Sequence, residues 1–215
     1  MSIRSYECKY NNNRVECWQT GVVALNAGVP PSTKGRILVA TPPLADPNFD
    51  RSVVFMIEHH RDGALGVVVN RPSAERLDAP LERWAELLSS PSVVFSGGPV
   101  DTDALIALGT VERAPDASLG DQLTRLSDEI FSVDLGEDPA LVAGLVNELR
   151  VFRGYAGWGP LQLETEIDQG GWLVLDVGPD DLFHPEPRGL WRAVLGRQEG
   201  RLAWLANAPD DLSAN

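Results

Sequence analysis

The sequence predicts an α+β fold. Two observations carry that reading. Short strand-like segments whose uninterrupted apolar runs reach only about four or five residues, closed by Gly, Pro, Asn and Asp, recur along the chain. Segments of helical periodicity are interspersed among them without regular βαβ alternation, which disfavours a doubly wound parallel sheet. A length of 215 residues, 43% hydrophobic and 23% charged, fits one ordinary globular domain with a sizeable core.

Three stretches are expected. Residues 1–34 read as a flexible extension, with a polar Tyr10-Asn11-Asn12-Asn13 run and a Gly28-Val29-Pro30-Pro31-Ser32 linker. Residues 35–207 form the body and 208–215 a polar tail. Within the body, Arg36 to Ala40 is a strand that the Pro42-Pro43 pair closes. Residues 44–50 are a loop. Residues 52–59 and 64–70 are two strands joined by the Arg61-Asp62-Gly63 turn, an antiparallel hairpin.

The first helix is predicted over 79–89, with Asp78 as N-cap, Pro80 in its first turn and Leu81, Trp84, Leu87 and Leu88 on one face. Short strands follow at 93–95 and 105–108, then a weakly patterned loop over 110–128 and a strand over 129–135. Asp138-Pro139 opens a second predicted helix, whose apolar face is Leu141, Val142, Leu145, Val146 and Leu149. A strand over 151–155, a short helix over 161–167, a strand over 172–177 and a helix over 189–196 complete the body.

Charge narrows the partners. The formal net charge is −13. Residues 1–34 carry Arg4, Lys9, Arg14 and Lys34 against Glu7 and Glu16, so the remaining chain stands at −15. Non-specific affinity for duplex comes largely from Lys and Arg on phosphates, so direct nucleic-acid binding is not expected. The same argument disfavours an anionic membrane surface. Apolar runs are far shorter than the ~20 residues of a spanning helix. Residues 1–10 hold no apolar core of signal-peptide length, which sets the expectation of a cytoplasmic protein.

No chemistry-bearing motif stands out. Cys8 and Cys17 are too few for a disulfide framework and their spacing matches no zinc pattern, so two free thiols are expected. His59 and His60, adjacent at a strand end, point to opposite faces and read as solvated. G-x-S-x-G is absent, and Ser96-Gly97-Gly98-Pro99 reads as a turn. Gly154-x-x-Gly157-x-Gly159 lacks the order of a dinucleotide loop. No metal and no cofactor is expected.

Four polar or glycine-rich clusters remain as candidate ligand-binding positions: Asp46, Asn48 and Phe49 in the 44–52 loop; Asn70 and Arg71 at a strand exit; Gly97 and Gly98; and Tyr155 and Trp158 in a bend. Loops carried on a rigid sheet are where binding groups usually sit. Gathered at one rim, these side chains would form a mixed apolar and polar cleft. The structural alternative is that each cluster serves its own turn, with Asp46 or Asn48 in an Asx-turn that Phe49 anchors.

These clusters belong to longer strings. Residues 35–53 (GRILVATPPLADPNFDRSV), 63–72 (GALGVVVNRP), 96–100 (SGGPV) and 154–164 (GYAGWGPLQLE) resemble, in order, the YqgE/AlgH family of bacterial proteins. Trp172, Leu182, Phe183 and Trp191 fit the same resemblance, which covers about four-fifths of the chain and leaves out 1–34. It implies a mostly antiparallel sheet bent toward a pseudo-barrel, with helices packed outside. It implies no catalytic residues, because none is established for the family. The reading that follows is a non-enzymatic binding or regulatory protein, with a small molecule or another protein as partner. Two alternatives are a transcriptional regulator, the label some members carry, and a hydrolase-like enzyme. The former would need a basic patch, the latter two converging polar groups.

Overall fold

The computed structural model describes residues 8–11, 14–17, 32–42, 44, 46–111, 122–198 and 201–206. Strands β1 (Cys8–Asn11) and β2 (Arg14–Cys17) form a separate antiparallel pair. The other nine build one sheet: β3 (Ile37–Ala40), β4 (Val53–His60), β5 (Gly63–Val68), β6 (Val94–Ser96), β7 (Val100–Val111), β8 (Leu123–Arg125), β9 (Ile130–Val133), β10 (Val146–Trp158) and β11 (Trp172–Leu175). Their order is β11-β3-β4-β5-β10-β7-β9-β8, with β6 parallel to β10 and every other pairing antiparallel. The sheet curls into a half-barrel. Helices are few and short: α1 (Gln162–Asp168), α2 (Leu190–Gly196) and α3 (Arg201–Leu205).

Period-two alternation explains the curl's two apolar faces. Ile37, Val39, Val53, Phe55, Leu65 and Val67 enter the cluster that α2 covers with Leu190, Trp191 and Val194. Their neighbours Leu38, Ala40, Val54, Met56, Ala64 and Val68 enter the cluster that α1 covers with Leu163. Both faces of these strands are buried, so they read as continuous apolar runs rather than alternating ones. A third cluster joins Trp84 to Val94, Phe131, Val133, Leu149 and Val151.

The long strand β10 links the clusters, and a bulge decides which side chains go where. Leu149 and Val151 face Trp84, whereas Phe152 faces the α2 side. Two residues on, a regular strand would aim position 154 at that side. The register shifts between Arg153 and Tyr155 instead, and Gly154 has φ +68. The extra residue re-aims Tyr155 to the same face as Phe152 and sends Ala156 and Trp158 to the α1 side.

The predicted hairpin is present as β4 and β5, and the strands at 36–40, 129–135, 151–155 and 172–177 and the helices at 161–167 and 189–196 all have counterparts. Two predicted helices differ. The segment Leu81–Leu87 is a 3-10 helix, and Asp78 makes no side-chain cap; its carbonyl accepts from Leu81 N. Leu81, Trp84 and Leu87 recur every third residue, which is the 3-10 period. The 138–149 helix stops after the 3-10 turn Pro139–Leu141, although Asp138 caps it through Ala140 N as expected. Residues 142–145 turn, Leu141 stays 48% exposed, and Val146 onward joins the β7 ladder. Strand β7 begins earlier than predicted, and β8 lies inside the stretch read as loop.

Residues 32–34 bond to the body. Thr33 N donates to His59 Nδ1 (3.0 Å), Ser32 Oγ to His59 O, and Lys34 Nζ to Glu58 Oε1 (2.7 Å). The tail expected over 208–215 lies outside the described residues, as does most of the extension. Among the described residues, no helix is long and apolar enough to cross a membrane.

Candidate functional site

The 46–52 loop is built from consecutive turns. Asp46 Oδ1 accepts from Asn48 N (2.8 Å), and Asp46 O accepts from Phe49 N. Phe49 O then accepts from both Ser52 N and Ser52 Oγ. The side chain of Phe49 packs on two indoles, stacked on Trp158 (6.1 Å between centroids) and edge-on to Trp172 (5.4 Å). Behind it, both indole N–H groups donate to one oxygen of Glu166, Trp158 at 2.9 Å and Trp172 at 2.8 Å, and Gln162 donates to the other.

Asn70 and Arg71 face this loop. The Asn70 amide is buried. Its Oδ1 accepts from Val53 N (3.0 Å) and its Nδ2 donates to Arg51 O (2.9 Å), so it extends the β4–β5 ladder by one side chain. The Arg71 guanidinium donates to Asn48 O and to Asp50 O. Burial draws its pKa below the ordinary value, against Asp50 and Asp46. Arg71 O in turn accepts from Ser96 N, Gly97 N donates to Arg153 O, and Val68 N donates to Gly97 O. Gly97 therefore bridges the point where β5 and β10 part.

These bonds connect the singled-out residues into one chain of contacts. Asp46, Asn48, Asn70 and Arg71 share a network, Phe49 joins Trp158 to it, and Gly97 and Gly98 lie against the Gly154–Ala156 backbone. Tyr155 and Trp158, however, stand on opposite faces of β10, at 0% and 2% exposure. The Tyr155 phenol is raised in pKa by burial and by Asp101. The two aromatics thus do not line one cleft. Two clefts of the described residues lie elsewhere: about 300 Å³ beside Leu81, Ala107 and Leu135, and about 370 Å³ beside Gly35, Ser127 and Pro179.

Replacing Phe49 by alanine should cost about 1–3 kcal/mol, two aromatic pairs plus partial burial. It should also shift tryptophan emission to the red as Trp158 and Trp172 gain water. An unchanged spectrum and melting temperature would show that the loop is not held by its aromatic.

Three groups escaped the sequence reading. His59 is buried rather than solvated. Its Nδ1 receives Thr33 N–H, so the ring proton is on Nε2, 3.0 Å from Glu164 Oε1. Thr33 Oγ1 is 2.9 Å from the same Nδ1. A hydroxyl, an imidazole and a carboxylate in series would suit nucleophilic catalysis. Here the backbone N–H occupies the ring nitrogen that would have to take the hydroxyl proton, and Thr33 is itself buried. The series is a clasp holding 32–34 and α1 to β4. Counting in twos from Met56 would put Glu58 rather than His59 toward α1; the register shift between Met56 and Glu58 reverses this. Glu166 gave no signal beyond a helical carboxylate, and Arg150, in the middle of β10, none beyond a charge. Among the described residues, no group of three or more His, Cys, Asp or Glu could hold a metal ion.

Comparison with known proteins places these features. A protein-family model described as AlgH-like matches residues 37–203. A UPF0301 protein of Streptomyces coelicolor is 49% identical over 190 residues, covering 86% of this chain and 96% of that protein. One from Thermobifida fusca is 46% identical over the same length. The crystal structure of a Corynebacterium diphtheriae protein superposes with a TM-score of 0.75 at 32% identity, covering 86% of this chain and 94% of that one. The solution structure of the AlgH protein from Pseudomonas aeruginosa gives 0.60 at 30% identity, covering 87% and 100%. With the match spanning the half-barrel from β3 into α3, the chain belongs to the AlgH-like, UPF0301 family.

Proposed function

We propose that this chain is a non-catalytic binding protein of the cytoplasm, and that it engages a small molecule or a protein partner through the rim formed by residues 46–51 and 70–72. The observation that supports this is the Arg71 guanidinium. It spans from a strand exit to two carbonyls of an exposed loop, fixing the loop's shape while Asn48 and Asp50 remain exposed. A loop ordered before binding loses less freedom on binding, which favours affinity. The rim's polar side chains Asp46, Asn70 and Arg71 bond to the backbone of the 48–53 segment, which holds the exposed loop in one shape.

Native mass spectrometry of the purified full chain tests the reading, alongside pull-down from its own lysate. Bound mass or a reproducible partner should accompany the parent chain and be lost from Arg71→Ala, with circular dichroism unchanged. Identical binding by parent and variant would remove the rim from consideration.

A regulator acting directly on DNA is not supported by charge. Arg51 and Arg71 belong to the rim and Arg188 donates to Pro72 O, yet Asp46 and Asp50 stand beside Arg71 in a chain of net −13. No gel shift of random duplex is expected at micromolar protein and physiological salt. A shift that weakens steeply with added salt would mark phosphate contacts and overturn this part of the reading.

A further inference from the structure

The N-terminal hairpin brings the chain's two cysteines together. In the β1–β2 ladder Asn11 faces Arg14, Tyr10 faces Val15, Lys9 faces Glu16, and Cys8 faces Cys17. We propose that Cys8 and Cys17 are a dithiol that closes reversibly into a disulfide across this hairpin, with a low-molecular-weight disulfide as oxidant.

Three observations carry the proposal. The first is register. Directly opposed residues of an antiparallel pair have Cα atoms about 4.5 or 5.5 Å apart, depending on whether the pair is hydrogen-bonded. Both values fall within the range of about 4.4–6.8 Å that a disulfide spans. The second is how the register is set. The sequence between the strands is Asn12-Asn13, and asparagine is among the residues favoured in two-residue hairpin connections. Cys8 and Cys17 lie equally far along their strands from the Asn11–Arg14 pair, so the register of that pair alone is enough to oppose them. A slip of one residue would put them on opposite faces. The third is isolation. Among the described residues the hairpin shares no ladder with the nine-stranded sheet, and a lone two-stranded hairpin is marginal in water. A bond between its outer ends restricts the open chain and favours the paired one. The sequence has no third cysteine to compete.

The chemistry balances as two exchanges. One cysteine thiolate attacks a sulfur of RS–SR; the S–S bond breaks, RS⁻ leaves, and a mixed disulfide remains. The second cysteine thiolate attacks the protein sulfur of that mixed disulfide, forms the Cys8–Cys17 bond and expels the second RS⁻. The two cysteines lose two electrons, the oxidant gains them, and the two protons released by the thiols end on two RSH.

The test uses the full chain in buffers of oxidised and reduced glutathione, quenched with an alkylating agent and read by mass spectrometry. Both thiols should become unreactive together, in a monomer lighter by two hydrogens. Cys17→Ser should stop at the mixed disulfide. The decisive variant moves one cysteine out of register, Glu16→Cys with Cys17→Ser. A flexible chain would close loops of these two lengths almost equally, since closure cost grows only with the logarithm of length. The paired hairpin should instead lower the effective concentration of the displaced thiol at least about tenfold. Equal closure in the two registers, glutathione left on each cysteine, or disulfide-linked dimers would each overturn the proposal.

Discussion

Replacing Arg150 by alanine should lower the melting temperature by at least about 6 °C, from ~3 kcal/mol or more lost, ~1 kcal/mol or more for each of three carbonyls left without a donor, at ~2–4 °C per kcal/mol for a domain this size. The side chain is 1% exposed, and among the described residues no carboxylate is hydrogen-bonded to it. Its guanidinium donates to three carbonyls: Leu182 O at 2.7 Å, Ser90 O at 2.9 Å and His184 O at 2.8 Å. It also lies over the rings of Phe95 and Phe183, at 4.6 and 5.7 Å. One side chain thus ties β10 to the segment before β6 and to the 182–184 turn, which have no ladder between them. Burial draws its pKa to about 10, with Glu148 acting the other way. Its Nε has no acceptor among the described residues. Alanine would leave the three carbonyls without a donor and open a void between two aromatics. Methionine keeps the stem and fills part of that void, so Arg150→Met isolates the cost of the carbonyls, ~1–3 kcal/mol for each one left buried and unpaired. Lysine keeps the charge but lacks the planar fork and the stacking, and should fall between parent and alanine. An Arg150→Ala chain that melts within ~2 °C of the parent would show that the three segments are held by something else.

Arg150 also shows where sequence reasoning stops. An arginine in a strand ordinarily marks a solvent-facing position, and nothing local announces that two phenylalanines and three carbonyls will close around it. The 138–149 segment fails for a related reason. Asp138 and Pro139 do open a helical turn, and Val142 and Leu149 are both buried in the Trp84 cluster. Spacing of seven fits two helical turns, but it also fits a turn followed by a strand that enters the same cluster. The ladder from Val146 to β7, a long-range pairing, decides for the latter. The β4–β5 hairpin was legible because its turn residues and its apolar runs agree with each other. In the candidate site, Asn70 and Arg71 were legible as a polar pair at a strand exit. Their direction was not legible: both serve the carbonyls and amides of the 48–53 backbone.

Gly98→Ala should be among the most damaging single-methyl additions in the described residues. A Cβ on Gly98 would lie 2.1 Å from Tyr155 C and 2.2 Å from Tyr155 O, and the residue sits at φ +155. These neighbours are backbone of a central strand, so no flexible side chain can move aside. Overpacking costs ~1–3 kcal/mol or more and an unfavourable φ another ~1–3 kcal/mol. Together they should lower the melting temperature by at least about 4 °C. Two other glycines separate the causes. Gly170 has φ +76 but open space around its Cβ position, so Gly170→Ala should show the strain alone. Gly144 has open space and no positive φ, so Gly144→Ala should stay within ~0.5 kcal/mol of the parent. The expected order is Gly98 well below Gly170, and Gly170 below Gly144. If Gly98→Ala melts with Gly144→Ala, the chain does not pass backbone against backbone at this crossing. If the order holds, the Ser96-Gly97-Gly98-Pro99 string is explained by packing. Gly97 beside it keeps β5 and β10 in hydrogen-bond contact, and Ser96 N holds Arg71 O. The glycines are then what sets the position from which Arg71 reaches the loop, and a variant at Gly98 should loosen the rim without touching any residue exposed on it.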